Sequence, residues 1–310
     1  MDLGHNKLRR LAYAAQLYYL EDKKQSDIAK ELGVSRPMVS KMLSEARELG
    51  IVRITIENPD MRPDCLLEEL TEKHLVKGGV LVEDGKDDDE TNLLLSEASV
   101  KLLQDLRTKR LGIGWGYIVG QMIAWLEKNP QVHSTVADIY PMVGNAGIPA
   151  RNYQSNENVR LMAKQLGASP HFLSLPALPT GLEEKEILCS TELYREFLEY
   201  WESMDTALVN IGNYPSSPDF ASLVRYGSIL QKEHTCGRLL VYYFNEDGKI
   251  IESNQDFAIQ IPLEILKKCP NIVGICSANT NSKALRGALN SGIFTHIIAR
   301  ASLVKELTNK

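Results

Sequence analysis

The sequence predicts an α/β protein in two parts: a small helical head over residues 1–57 and a larger domain over 65–310, joined by a linker at 58–64. Three observations predict it. Apolar residues recur at helical spacing through the first 46 residues. The stretch "ENPDMRPD" then breaks the pattern with two prolines. Beyond it, helical and strand patterns alternate, as in a sheet covered by helices on both faces.

Composition narrows the class. With 310 residues and 44% hydrophobic content, the chain is an ordinary globular protein. Ten Lys/Arg against eight Asp/Glu make residues 1–57 mildly basic at +2, while the remainder carries −7 of the net −5. A basic head on an acidic body confines any attraction to phosphate to one small module. The five cysteines are odd in number and widely spaced, so neither a disulfide framework nor a zinc site is expected, and no other metal or cofactor is indicated. "MDLGHNKLRR" lacks the apolar stretch of a signal peptide. The run from Leu111 to Leu126 is too short and too glycine-rich to span a bilayer. The expectation is a soluble, cytoplasmic protein with no membrane partner.

In the head, Leu8, Leu11, Ala12, Ala15 and Tyr19 mark the apolar stripe of a first helix. Ile28, Ala29 and Leu32 mark a short second helix, and Val39, Met42, Leu43 and Ala46 a third. Small Ala29 lets two helices cross closely, Gly33 permits a positive φ, and Val39 plugs the crossing. That is the register of a DNA-binding helix-turn-helix. Ser35 is expected to cap the third helix through its hydroxyl, and Pro37 is tolerated in its first turn. The polar face then presents Arg36, Pro37, Ser40, Lys41 and Ser44, with Arg47 two turns beyond Ser40. Hydroxyls and cations at a helix N-terminus suit base edges and phosphates of double-stranded DNA. Tyr18, Lys24 and Gln25 are expected at the DNA backbone. A bland helical hairpin with a solvated face is the alternative. After Gly50, Val52, Ile54 and Ile56 alternate with Arg53 and Thr55 as a strand that serves as a wing or only packs the head.

In the body, strands are expected at "GVLVE", "RLGIGWG", "STVADIYPMV", "DTALVNIG", "GRLLVYYF", "NIVGICSA" and "FTHIIA". Helices are expected at "DETNLLLSEASVKLLQDL", "NENVRLMAKQLG", "STELYREFLEYWESM" and "SKALRGALNSG". The acidic "DGKDDDE" reads as a loop entering a helix N-terminus. Several strands end in glycine or small polar residues, where open parallel sheets bind ligands. Gly112, Gly114 and Gly116, with Trp115 between them, end one strand, and Gly144, Asn145 and Gly147 another. Gly212 and Asn213 end a third, and Asn279, Thr280, Asn281 and Ser282 follow a fourth and lead to Lys283. Their backbone N–H groups are suited to cradle an anion. Tight turns that pack strand on helix explain each cluster equally well alone, and convergence on one crevice would separate the two readings.

The head "LYYLEDKKQSDIAKELGVSRPMVSKMLSEARELGIVRITI", followed by "LGIGWG", "PMVGNAG", "NIG", "GRLLVYYFNEDG" and "IVGICSANTNSKALRGAL", resembles the SorC-type, sugar-responsive bacterial transcriptional regulators (SorC/DeoR) over nearly the whole chain. The resemblance implies an effector domain akin to phosphosugar isomerases that binds without turnover. It also implies a sugar or sugar-phosphate effector and a homodimer or homotetramer on paired operator sites. Effector contacts are expected from Gly114, Trp115, Gly116, Gly144, Asn145, Gly212, Arg238, Asn279, Thr280 and Lys283. The pattern departs in three places. The family's Gly-Asp step appears as Gly237-Arg238, its Ala-Gly-Gly as Ala278-Asn279-Thr280, and the Asp after the last strand as Arg300. Arginines in place of acids shift a hydroxyl-binding site toward anions, or abolish sugar binding.

The leading reading is therefore a repressor of a carbohydrate operon. A sugar-phosphate isomerase with a regulatory head would need a base in the crevice, for which Asp138, Asp205, His234 and His296 are available. A regulator whose body has lost ligand binding is the third reading.

Overall fold

The structure is a computed structural model that describes residues 3–52, 62–216 and 218–308. The strand expected around Ile54 and Ile56, with Arg53, lies outside the described residues. The chain falls into two compact units, Met1–Asn58 and Pro59–Lys310.

The head packs α1 (Leu3–Tyr19), α2 (Gln25–Leu32) and α3 (Arg36–Glu48) around Leu11, Ala14, Leu17, Ile28, Val39 and Leu43. The stripe of α1 is turned from its expected phase: Leu8 is 44% exposed and Ala12 is exposed, while Ala14 and Leu17 are buried. Packing against both other helices, not the spacing of the largest residues, decides that face. Gly33 ends α2 at φ 64°, and the amide of Val34 donates back to the Ala29 carbonyl (2.9 Å). Ser35 occupies the N-cap of α3 in extended conformation, but its hydroxyl makes no capping bond. Pro37 removes one of the two amides a cap would serve, and the other, Met38 N–H, donates to the Ser35 carbonyl (3.0 Å).

In the body, α4 (Pro63–Lys73) leads to β1 (Gly78–Val82), so Pro63 and Asp64, expected in the linker, form a first helical turn. Next come α5 (Asp88–Asp105), β2 (Arg110–Ile113), α6 (Tyr117–Lys128), β3 (Asp138–Pro141), α7 (Ser155–Leu166) and β4 (Ser169–Pro170). Then follow α8 (Leu182–Cys189), α9 (Glu192–Ser203), β5 (Thr206–Asn213), α10 (Ser222–Tyr226) and α11 (Ile229–Lys232). The antiparallel strands β6 (Thr235–Leu239), β7 (Tyr242–Asn245) and β8 (Ile250–Ile251) precede α12 (Leu263–Leu266). The chain closes with β9 (Asn271–Cys276), α13 (Ser282–Asn290), β10 (His296–Arg300) and α14 (Ala301–Thr308).

Seven strands pair in parallel in the order β1-β10-β9-β5-β2-β3-β4, and β6 adds antiparallel to the C-terminal half of β5. One face packs on α5, α6 and α7 through residues such as Leu95, Ile118, Val159 and Leu208. The other packs on α4, α9, α13 and α14 through Leu66, Trp201, Leu285 and Leu303. The acidic tract caps α5: Asp87, at the N-cap, accepts from Glu90 N–H (2.9 Å), and Glu90 reaches one residue beyond the usual capping-box partner to accept from Lys86 N–H (2.7 Å).

One expected strand is two. "GRLLVYYF" folds back on itself, pairing Leu239 with Tyr242 and Arg238 with Tyr243. The turn is Leu240-Val241, both buried, with Leu240 at φ 51°. A turn of two apolar residues carries none of the usual Asn or Gly signature. Its backbone is satisfied from inside: Val241 N–H donates to Gln260 Oε1 (3.1 Å), and its carbonyl accepts from Arg225 Nη2 (2.8 Å).

Candidate functional site

On α3, Val39, Met42, Leu43 and Ala46 are buried, and Arg36, Pro37, Ser40, Lys41 and Arg47 are exposed. Ser44 is half-buried and accepts from Arg47 Nη2 (3.3 Å). Half-buried Gln25 opens α2, and half-buried Tyr18 packs edge-on against Tyr19. Met38, which sequence reasoning left aside, is 47% exposed in the first turn of α3. The helix thus offers two cations and a hydroxyl around its N-terminal half.

In the body, chain order reverses between β2 and β5. From β2 the chain proceeds outward to β3 and β4; from β5 it proceeds the other way to β9 and β10. Such a switch point opens a crevice beyond the carboxyl ends of the two strands. Gly114–Gly116 leave β2 there, and Asn210–Asn213 end β5.

Trp115 is buried, stacks on Phe220 (centroids 5.0 Å, 15°) and meets Tyr153 edge-on (5.8 Å). The guanidinium of Arg238, only 7% exposed, lies 4.4 Å from the centroid of the same Phe220 ring. Glycine flanks this group on both sides, held at Gly116 by conformation and at Gly212 by the close approach of the Arg238 side chain. Gly116 has φ 118°, and a Cβ on it would come 3.1 Å from Asn210 Nδ2; a Cβ on Gly212 would come 3.1 Å from Arg238 Cγ and Nε. Trp115 Nε1, Asn210 Oδ1, and Arg238 Nε and Nη1 are buried and have no hydrogen-bond partner among the described residues. Polar atoms left so in a packed interior call for a partner from outside the chain, an ordered water, an ion or a ligand. Burial lowers the pKa of the Arg238 guanidinium, while neighbouring Tyr153 and Tyr243 raise it.

The remaining expected contacts sit elsewhere or are engaged. A Cβ on Gly144 would strike the backbone of Pro176 (2.5 Å), and Asn145 Oδ1 accepts from Asn156 N–H (3.1 Å). Thr280 is buried, and its hydroxyl accepts from Ser277 N–H (2.9 Å). Asn213 ties the end of β5 to the next turn, donating to the Asn279 carbonyl (2.9 Å) and accepting from Asn281 N–H (3.0 Å). Lys283 lines a separate cavity of about 660 Å³ with His234, Cys236 and Arg286, a cavity in which Arg238 takes no part. Arg300, expected to favour anions, is committed: it donates to the Ala278 carbonyl (3.0 Å) and pairs with Asp84 (3.2 Å) and Glu306 (3.7 Å). The four turns therefore do not form one anion cradle around Lys283.

Tyr153, Asn210 and Phe220 were missed from sequence. Asn210 alone carried a signal, as a polar residue inside the apolar strand "TALVNIG". Of the four candidate bases, His234 lines the separate Lys283 cavity, and the other three stand across the sheet from the crevice. Asp138 opens β3, Asp205 precedes β5 and His296 opens β10, all at the amino edge of the parallel strands. There Asp205 accepts from Arg110 N–H (2.9 Å), Asp138 bonds His171 Nε2 (2.9 Å), and burial, then Lys77, lowers the pKa of His296.

The family model for a sugar-binding domain (Sugar-bind) matches residues 63–309. The chain belongs to this SorC-type family. It is a transcriptional regulator with a sugar-binding body. The regulator is 28% identical to the sorbitol operon regulator of Klebsiella pneumoniae over 91% of this chain and 92% of that one. It is 25% identical to the deoxyribonucleoside regulator of Bacillus subtilis over 96% of each. The crystal structure of full-length SorC from Klebsiella pneumoniae superposes with a TM-score of 0.70 at 25% identity, covering 96% of this chain and 98% of that one. No helix among the described residues is long and apolar enough to cross a membrane.

Proposed function

We propose that the regulator represses a carbohydrate-metabolism operon in the cytoplasm, binding operator DNA through α3 as a homodimer or homotetramer and releasing it in response to a sugar or sugar-phosphate effector at the β2/β5 crevice. Residues 1–57 serve DNA, and residues 65–310 serve effector binding and assembly. Arg36, Ser40 and Lys41 face base edges, and Arg47 faces phosphate. The observation that carries the reading is the crevice itself. It gathers unpartnered donors and an acceptor, while Asp138, Asp205 and His296 stand at the opposite edge of the sheet. A pocket of that kind recognises a ligand without a base placed to transform it.

Fluorescence anisotropy on DNA from the regulator's own promoter tests it. Binding is expected to require two half-sites about one helical turn, or a multiple, apart, and to weaken with one sugar or sugar phosphate. Tight binding of a monomer to one half-site, or turnover of phosphosugars by the purified protein, overturns the reading.

A further inference from the structure

The four unpartnered atoms of the crevice have a definite chemistry: three N–H groups from Arg238 and Trp115 that donate, and one amide oxygen from Asn210 that accepts. They also have a definite charge. Arg225 is spent on Asp256 and on the carbonyls of Val241 and Phe220, Arg300 is paired with Asp84, and Lys283 lines another cavity. Arg238 therefore brings a single buried positive charge, bonded to Tyr153 and offset only weakly by Asp219. One anionic charge neutralises it, whereas a dianionic phosphoryl group would carry uncompensated charge into a desolvated site. A planar guanidinium beside an indole N–H suits a carboxylate, and the Asn210 oxygen calls for a hydroxyl donor.

We propose that the crevice takes a monoanionic polyhydroxy carboxylate, a sugar acid, with its carboxylate on Arg238 and Trp115 Nε1, in the space where the Phe220 ring now lies. The proposal rests on the crevice being the effector site. Phe220 fits the part of a displaceable plug. Its ring touches both donors, and Phe220 and Ala221 both hold φ 53°, a left-handed conformation that residues with side chains rarely adopt. An anion that pairs with Arg238 satisfies the orphaned donors and lets this segment relax. The Arg225 bond to the Phe220 carbonyl keeps the segment anchored meanwhile.

The test is calorimetry on the full chain with a panel of aldonates and uronates, the matching neutral sugars and their phosphates. At least one acid binds the wild type, and the neutral and phosphorylated counterparts bind about tenfold more weakly or worse. Phe220→Ala tightens the acid, because the plug no longer competes. Arg238→Met weakens it by about 30-fold or more, the loss expected when one partner of a desolvated charge pair is removed. Arg238→Met also leaves the thermal midpoint unchanged or raised, since removing a buried charge with two unpartnered nitrogens offsets the lost bond to Tyr153; a merely structural arginine would lower it. If a neutral sugar or a phosphate is preferred, or Arg238→Met binds the acid unchanged, this proposal falls and the effector crevice stands. If no member of the panel binds either wild type or Phe220→Ala, both fall.

Discussion

Asp256→Ala should unfold the body far more readily than its position beside a surface loop suggests. Arg225 is fully buried, and its Nε donates to Asp256 Oδ1 at 2.8 Å; the other carboxylate oxygen accepts from Tyr226 Oη (2.9 Å), and Oδ1 also takes Ala258 N–H (3.0 Å). Removing the carboxylate leaves the guanidinium charged and without a counterion, which costs about 3–5 kcal/mol. For a unit of this size that is roughly 6–20 °C in the thermal midpoint. The three tryptophans, Trp115, Trp125 and Trp201, all fall within 59–310, so indole fluorescence during urea unfolding follows the body without the head. Arg225→Met combined with Asp256→Leu should recover only part of the loss: the lone buried charge is gone, but the Val241 and Phe220 carbonyls and Ala258 N–H lose their partners. Burial alone would raise the Asp256 pKa, but the hydrogen bond and charge of Arg225 hold it below its ordinary value. A carboxylate whose folded pKa is depressed contributes stability above its unfolded pKa and loses it as pH falls through the folded one. Asp256→Ala should therefore be less sensitive to acid than wild type. A loss under about 1 kcal/mol, or a double variant no better than the single one, refutes the claim that this pair is energetically buried.

Gly116→Ala meets both a positive φ and the Asn210 side chain, and should cost about 1–3 kcal/mol by denaturant unfolding. Asn281→Ala deletes the cap on Ala284 N–H (2.9 Å) and should cost about 1 kcal/mol, whereas Ser35→Ala, which deletes no capping bond, should cost close to nothing; equal losses would mean that the Ser35 hydroxyl does cap α3 in solution. Arg36→Ala should lose about 1–3 kcal/mol on operator DNA and relax one base preference, while Arg47→Ala should weaken operator and random DNA alike and flatten the salt dependence. Uniform losses for Arg36→Ala in anisotropy titrations would assign it to phosphate.

The head was legible because its determinants are local. Ala29, Gly33 and Val39 each do one job within a single hairpin, and spacing states it. The alternation in the body was legible for the same reason, as were the glycines flanking Trp115. What escaped depends on contacts across the chain. Leu240-Val241 turns without turn residues because Gln260 and Arg225 satisfy its backbone. Nothing local in "SLVRYG" marks Arg225, yet it is the most deeply buried cation among the described residues because Asp256 comes to it. Likewise Arg238 and Arg300, alike as substitutions, differ in their surroundings: Arg238 keeps two nitrogens without a partner, and Arg300 is tied to two acids and a carbonyl.

The edge of the sheet sets an order of events. Among the described residues, β1 has only β10 as its strand neighbour, with Gly78 beside His296 and Val82 beside Arg300, and α4 rests against α14. On the ribosome, β1 therefore has no strand to pair with until β10 has emerged, some two hundred residues later. The head, whose contacts are local, can fold early, whereas the body stays open along that edge until β10 arrives. Losing the last strand would thus unmoor the beginning of the body as well as its end.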